Sequence, residues 1–111
     1  MIERVQRLGL PTVDHPFLDS FRLEPAGKSS RYARLLRELP AGLSEWAVHP
    51  ALEDAELLAL EPEGNHVRQT DLDFLTSAEA REIIESEGIT LLSYRPLQAA
   101  WQHLAQAGQG P

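Results

Sequence analysis

The stretch Leu43-Ser44-Glu45-Trp46-Ala47-Val48-His49-Pro50 decides the fold class. Its side chains alternate with the period of a strand: Glu45, Ala47 and His49 on one face, Ser44, Trp46 and Val48 on the other. Pro50 has no N–H to offer a ladder and stops the strand. Immediately upstream, Tyr32, Leu35, Leu36 and Leu39 recur at helical spacing behind Ser29 or Ser30 as the cap. Arg31, Arg34, Arg37 and Glu38 take the outer side of that helix, and Pro40-Ala41-Gly42 ends it. A helix thus runs straight into a strand with no hairpin signal between them.

Moving outward, a helix is expected over about 53–60, followed by the polar loop Pro62-Glu63-Gly64-Asn65. Thr76 with Glu79 has the spacing of a capping box. It opens a helix that turns Ala80, Ile83 and Ile84 inward and ends at Gly88. Ile89-Thr90-Leu91-Leu92-Ser93-Tyr94 reads as a second strand, and Pro96 opens a last helix with Leu97, Ala100, Trp101 and Leu104 on one face. The tail from about residue 106 to 111 is expected to fray. On the N-terminal side, Ile2, Val5 and Leu8 sit at helical spacing before Gly9, Leu10–Val13 is a short extended segment, and residues 14–28 form a long loop.

Helices alternating with strands imply parallel strands joined by crossover helices, an α/β arrangement. Two or three parallel strands do not cover themselves, and a closed barrel takes about 250 residues. Residues 1–111 are therefore expected to form a single α/β segment, part of a (β/α)-barrel-like fold completed by association or by a longer chain.

Composition narrows the function classes. A net charge of −7 without a basic block argues against nucleic acid as a partner. The absence of cysteine removes disulfides, thiolate nucleophiles and Cys-ligated zinc. No apolar run approaches a membrane span, and MIERVQRLGL is too short and charged for a secretory signal, so the expected location is the cytoplasm.

A carboxylate and an imidazole on one face at the C-terminal end of a parallel strand occupy the place where barrel enzymes put their working groups. Four residues of strand hold Glu45 and His49 about 13 Å apart, too far to share one metal ion or one proton. His49 is then the reacting group at the rim and Glu45 a deeper residue that orients something else. The alternative is a strand-end histidine packed on a loop and a glutamate in a structural ion pair. His66, Arg68, Asp71 and Asp73 form a second polar cluster. In it Arg68 and Asp71 are the candidate substrate-binding residues, with a structural salt bridge as the alternative for Arg68. His15, beside Asp14 in the long loop, has the chemistry of a metal ligand but too little company. Ser44 and Ser93 have no base at triad spacing, and neither a phosphate loop nor an HxxxH pair is present. This inventory leaves a metal site short of ligands.

The run ARLLRELPAGLSEWAVHPA (residues 33–51), followed by RQTDLDFLTSAEAREIIESEGITLLSYRPL (residues 68–97), resembles the C-terminal part of the YdjC-like (ChbG/HpnK) carbohydrate deacetylases. The shared features are a helix ending Leu-Pro-x-Gly, a strand with Glu and then His-Pro, an Arg…Asp-Leu segment, and Glu-x-Gly-Ile before Ser-Tyr-Arg. The resemblance covers about residues 30–98. It implies a (β/α)-barrel-like fold and hydrolysis of an N-acetyl group from an amino sugar. In that chemistry a divalent metal, Mg or Zn, activates water and a histidine assists the departing amine. His49 matches the histidine at the rim and Glu45 its partner on the strand. Two departures stand out: Ala51 follows His-Pro where the family has glycine, and nothing here matches the family's Asp-Asp motif or metal-binding histidines. The chain is accordingly expected to hold no metal alone and to lack the metal-binding N-terminal half, with an amino sugar as ligand and a homo-oligomer or that missing half as partner. The rival expectation is a non-catalytic, truncated relative that serves as a self-associating or partner-binding module.

Overall fold

A computed structural model describes Arg4, residues 7–9 and residues 12–107. Two strands, a 3-10 turn and five α-helices have both ends among them. Strand β1 is Leu18–Asp19, followed by a 3-10 turn at Ser20–Arg22; helix α1 is Lys28–Arg37; strand β2 is Trp46–Ala47. Helix α2 is Ala55–Leu60, α3 Asn65–Leu75, α4 Ala78–Ser86 and α5 Tyr94–Ala107. The architecture is mixed α/β, mostly helical, with one small sheet.

The sheet is parallel, with Leu18 opposite Trp46 and Asp19 opposite Ala47, and α1 lies between its strands in sequence. The parallel sense is the expected one, but the partner of β2 is Leu18–Asp19, from the segment expected to be a loop, and not Ile89–Tyr94. The strand expected over Leu43–Val48 is much shorter, because at its start the Leu43 N–H is taken by the Asp14 carboxylate at 2.6 Å. The two chains still run side by side there: the Asp14 N–H reaches the Leu43 carbonyl and the Leu18 N–H reaches the Glu45 carbonyl. The supposed loop 14–28 therefore supplies the partner strand. Gly42 permits the approach: its φ is 119°, and a Cβ there would sit 2.7 Å from Asp14 Oδ2.

Three further expectations are corrected. Ile89–Tyr94 is not a strand; a ladder needs a neighbour, no described segment pairs with it, and Tyr94 already belongs to α5. Residues 65–75, read as a polar cluster, form a helix because Val67, Asp71 and Phe74 share its buried face. An aspartate within that stripe hid the apolar period. The cap of α4 is Ser77, whose hydroxyl accepts from the Ala80 N–H at 3.1 Å, while Thr76 closes α3 by donating to the Leu72 carbonyl. Similarly, α1 starts one residue before Ser29, with Gly27 at its N-cap. At the N-terminus, Arg4 and Arg7 are helical and Gly9 has a φ of 71°. The rest of the helix expected over 2–8, the segment Leu10-Pro11 and residues 108–111 lie outside the described residues.

The core is formed where α1, α3 and α4 meet. Tyr32, Ala33, Leu36, Phe74, Ala80 and Ile83 are buried, with Leu18, Trp46 and Ile89 packed around them. Tyr32 stacks between Trp46 and Phe74, at centroid distances of 5.7 and 5.1 Å. Each such pair contributes about 0.5–1.5 kcal/mol beyond its burial. This stack ties β2 to α1 and α3, and so sets the position of the residue three places beyond β2's Trp46, His49.

Candidate functional site

His49 follows β2 and is held at three points. Its N–H donates to Asp71 Oδ2 at 2.9 Å, its Nδ1 lies 2.9 Å from the Ser20 hydroxyl, and its ring packs on Phe21 at 4.5 Å between centroids. Ser20 and Phe21 belong to the 3-10 turn after β1, so both strands deliver their C-terminal ends to the same place. That follows from parallel pairing, which puts like ends together.

Asp71, from α3, is fully buried. Its Oδ1 accepts from the Tyr32 hydroxyl at 2.8 Å and from Lys28 Nζ at 3.0 Å, and Lys28 also donates to the Val67 carbonyl. Burial alone would raise the carboxyl; the Ser20 hydroxyl, the His49 N–H, Tyr32 and Lys28 outweigh it and hold the group below its usual value. The same environment pushes the Tyr32 phenol well up, first by burial and then by the adjacent carboxylate. Lys28 and Asp71 are a fully buried ion pair, with the Val67 carbonyl as a second acceptor for the ammonium.

The four residues named from sequence fall into distinct settings. His49 and Asp71 are brought into direct contact through the His49 main chain. Arg68 pairs with Glu61 and lies over Phe21, 5.4 Å from the ring centroid, so a single phenyl group separates its cation from the His49 imidazole. Glu45 faces elsewhere and accepts from the Tyr94 hydroxyl at the start of α5, a bond that raises the tyrosine's pKa. Glu45 and His49 thus serve different neighbours, as their separation along the strand requires. An open groove lined by Phe21, Leu60, Pro62, Gly64 and Val67, with Glu61 and Glu63 at its edge, begins on the phenyl ring that His49 touches.

Ser20, Phe21 and Lys28 were not singled out from the sequence. For Lys28 a signal existed. Extending the Tyr32–Leu36 line back one turn puts a lysine on the buried face of α1, which demands a carboxylate partner. Nothing in the sequence tied Ser20 to His49, because the contact spans 29 residues. Among the described residues no group of three His, Asp or Glu side chains is arranged to hold a metal ion. His15 bonds the Ala41 carbonyl, and His66 pairs with Glu53.

Fold and site together define a mixed α/β protein with a histidine presented at the joined C-terminal ends of parallel strands. The family model described as YdjC-like protein matches residues 1–86, and the chain belongs to that family. No curated protein matches it.

Proposed function

We propose that this chain carries the histidine-bearing part of a carbohydrate deacetylase site, acting on N-acetylated amino sugars within a longer chain or beside a partner. Family membership supports the reaction class. The observation that carries the proposal is the fixation of His49 by three residues from two elements: Ser20 and Phe21 of the 3-10 turn, and Asp71 of α3. A ring held in that way loses little freedom when it meets a substrate, which is what proton transfer to a departing amine requires. On this reading the sugar lies along the groove from Phe21, with Arg68 within reach of a hydroxyl. Asp71, having no exposed surface, acts on the ligand only through the position it gives His49. Glu45 anchors the start of α5 through Tyr94.

The divalent metal that the family's chemistry implies does not fit the donors described here, so no step above runs through it. On this proposal its ligands come from other polypeptide, and the small parallel sheet is one sector of a barrel-like fold.

The test is acetate release from N-acetylglucosamine oligosaccharides by the complete assembly. His49→Ala should lower turnover at least about 100-fold, the lower range for loss of a general acid, with little change in unfolding midpoint. Unfolding without a specific rate effect would make His49 structural. A second reading is favoured by the exposed Leu91, Leu92 and Tyr94 ahead of and at the start of α5: a non-catalytic module that associates through this segment. Sedimentation showing a folded monomer at all concentrations would remove it.

A further inference from the structure

We propose that Glu61 is a specificity-determining residue: together with Arg68 it reads the 3,4-diol of an N-acetylated amino sugar whose apolar face lies in the groove beside Phe21. The identity of the sugar rests on the deacetylase reading; the diol-reading pair stands on the geometry.

The groove has a volume of about 580 Å³, within the roughly 300–1,000 Å³ of small-molecule sites. Phe21, Leu60, Pro62 and Val67 give it an apolar lining, and Glu61 a charged one. The Glu61 carboxylate accepts from Arg68 through one oxygen, Oε2, and one guanidinium nitrogen, Nε. Among the described residues, Oε1 and the two terminal nitrogens of Arg68 have no partner. The two side chains are 35 % and 28 % exposed, so a ligand can reach the pair.

Two contacts fix this pair more closely than an ordinary surface ion pair. The Arg68 guanidinium lies over Phe21, 5.4 Å from the ring centroid. Glu61 folds back over Gly64, where a Cβ would come 2.6 Å from Glu61 Oε1 and 2.7 Å from its Cδ. The φ of Gly64 is −97°, open to any residue, so the glycine supplies space and not a special backbone.

A hydroxyl gives one proton and accepts through its lone pairs. Adjacent hydroxyls on a pyranose ring lie at hydrogen-bond distance, so one donates to the carboxylate while its neighbour accepts from the guanidinium. Both bonds are charge-assisted, roughly twice as strong as neutral ones. A sugar ring, with an apolar C–H face and a hydroxyl edge, matches an apolar groove beside such a pair. In a 2-acetamido hexopyranose the nitrogen takes C2 and C5 bears no hydroxyl, which leaves C3 and C4 as the vicinal diol away from the anomeric centre. Phe21 touches both the His49 ring and the Arg68 cation, so it sets the span between the acetamido group and that diol.

The experiment is a proton–nitrogen NMR titration of the 15N-labelled chain with N-acetylglucosamine and with its 3-deoxy and 4-deoxy analogues. The parent sugar should shift the amides of Phe21 and Gly64, and each deoxy analogue should bind at least about tenfold more weakly. Glu61→Ala should remove the penalty for at least one analogue by weakening the parent sugar. Gly64→Ala keeps every polar group but displaces the Glu61 carboxylate, and should act in the same direction. Equal binding of the three sugars, no shift at Phe21 and Gly64, or both penalties persisting in full in a folded Glu61→Ala overturns the proposal. If Glu61→Ala does not fold, Gly64→Ala decides in its place. The expected pattern together with normal acetate release by His49→Ala in the complete assembly would sink the deacetylase reading and leave the diol site standing. A large His49→Ala loss without discrimination among the three sugars would sink only the role of Glu61.

Discussion

Helices α3 and α5 are close in length, 11 and 14 residues, yet they are held in different ways. Helix α3 carries Asn65, Val67, Asp71 and Phe74 into the interior, whereas no residue of α5 is buried. The composition of α5, rich in Ala, Leu and Gln, favours a helix locally. Helix α3 contains Thr70, Asp71 and Asp73, poor helix formers, and is a helix because its contacts reward it. The family match ends at residue 86, the last residue of α4, and burial falls away just beyond it, with Ile89 as the final residue packed on the core. The part of the chain that the family defines is therefore the part organised around Asp71.

The sharpest way to break this contrast is Asp71→Ala. Removing one member of a buried pair leaves Lys28 without its counter-charge and should cost about 3–5 kcal/mol, a large share of the ~5–15 kcal/mol that holds a domain together. Urea denaturation measures it; a loss below about 1 kcal/mol would show that Lys28 finds another acceptor. Replacing Asp71 and Lys28 together by apolar residues of similar volume should recover most of the loss, which an equally unstable double variant would refute.

Next in size is the response to pH. Asp71 is held below the usual carboxylate value of about 3.9, so its contribution is complete above that pH and is lost as pH falls through the folded-state value. Tyr32 is raised above the ordinary tyrosine value of 10.0, so its contribution is complete below that pH and is lost as pH rises toward the folded-state value. In the Tyr94→Phe variant Tyr32 is the remaining tyrosine, and ultraviolet titration should show its phenol ionising together with unfolding. Ionisation of a still-folded chain near pH 10 would contradict the burial argument. Tyr94, exposed and raised by Glu45, should titrate in the wild type without loss of the fold.

The smallest effect belongs to the far side of the comparison. Leu91→Ser, at a residue 73 % exposed, should change the stability of the isolated chain by less than about 0.5 kcal/mol. A larger loss, growing with protein concentration, would mean that this segment is covered by another copy.

Much of the first half was legible because its signals are local. The stripe on α1 and the His49-Pro50 stop are visible within a dozen residues, whereas the partner strand Leu18–Asp19, too short to show a period, read as loop. Ile89–Tyr94 was misread because β-branched and apolar residues record a preference for extended backbone, and not whether a neighbour exists to bond it. Helix α3 was missed because a polar core replaces the apolar period there. Of the candidate residues, His49 was visible from its place on the strand and Arg68 and Asp71 from their cluster, while Glu45, on the same strand, faces Tyr94 instead. The contacts within the site were not visible, since Ser20, Lys28, Tyr32 and Asp71 are joined only by folding.

That same buried carboxylate bears on how the molecule assembles in time. Its donors lie 22, 39 and 43 residues away along the chain, at His49, Tyr32 and Lys28. Contacts of such range demand that several loops close before any of them is rewarded. A chain with only one loop closed would bury an acceptor still short of donors, a costly intermediate. The polar centre thus ties the ordering of β2, α1 and α3 to one another, since the carboxylate is fully partnered only when all three are in place.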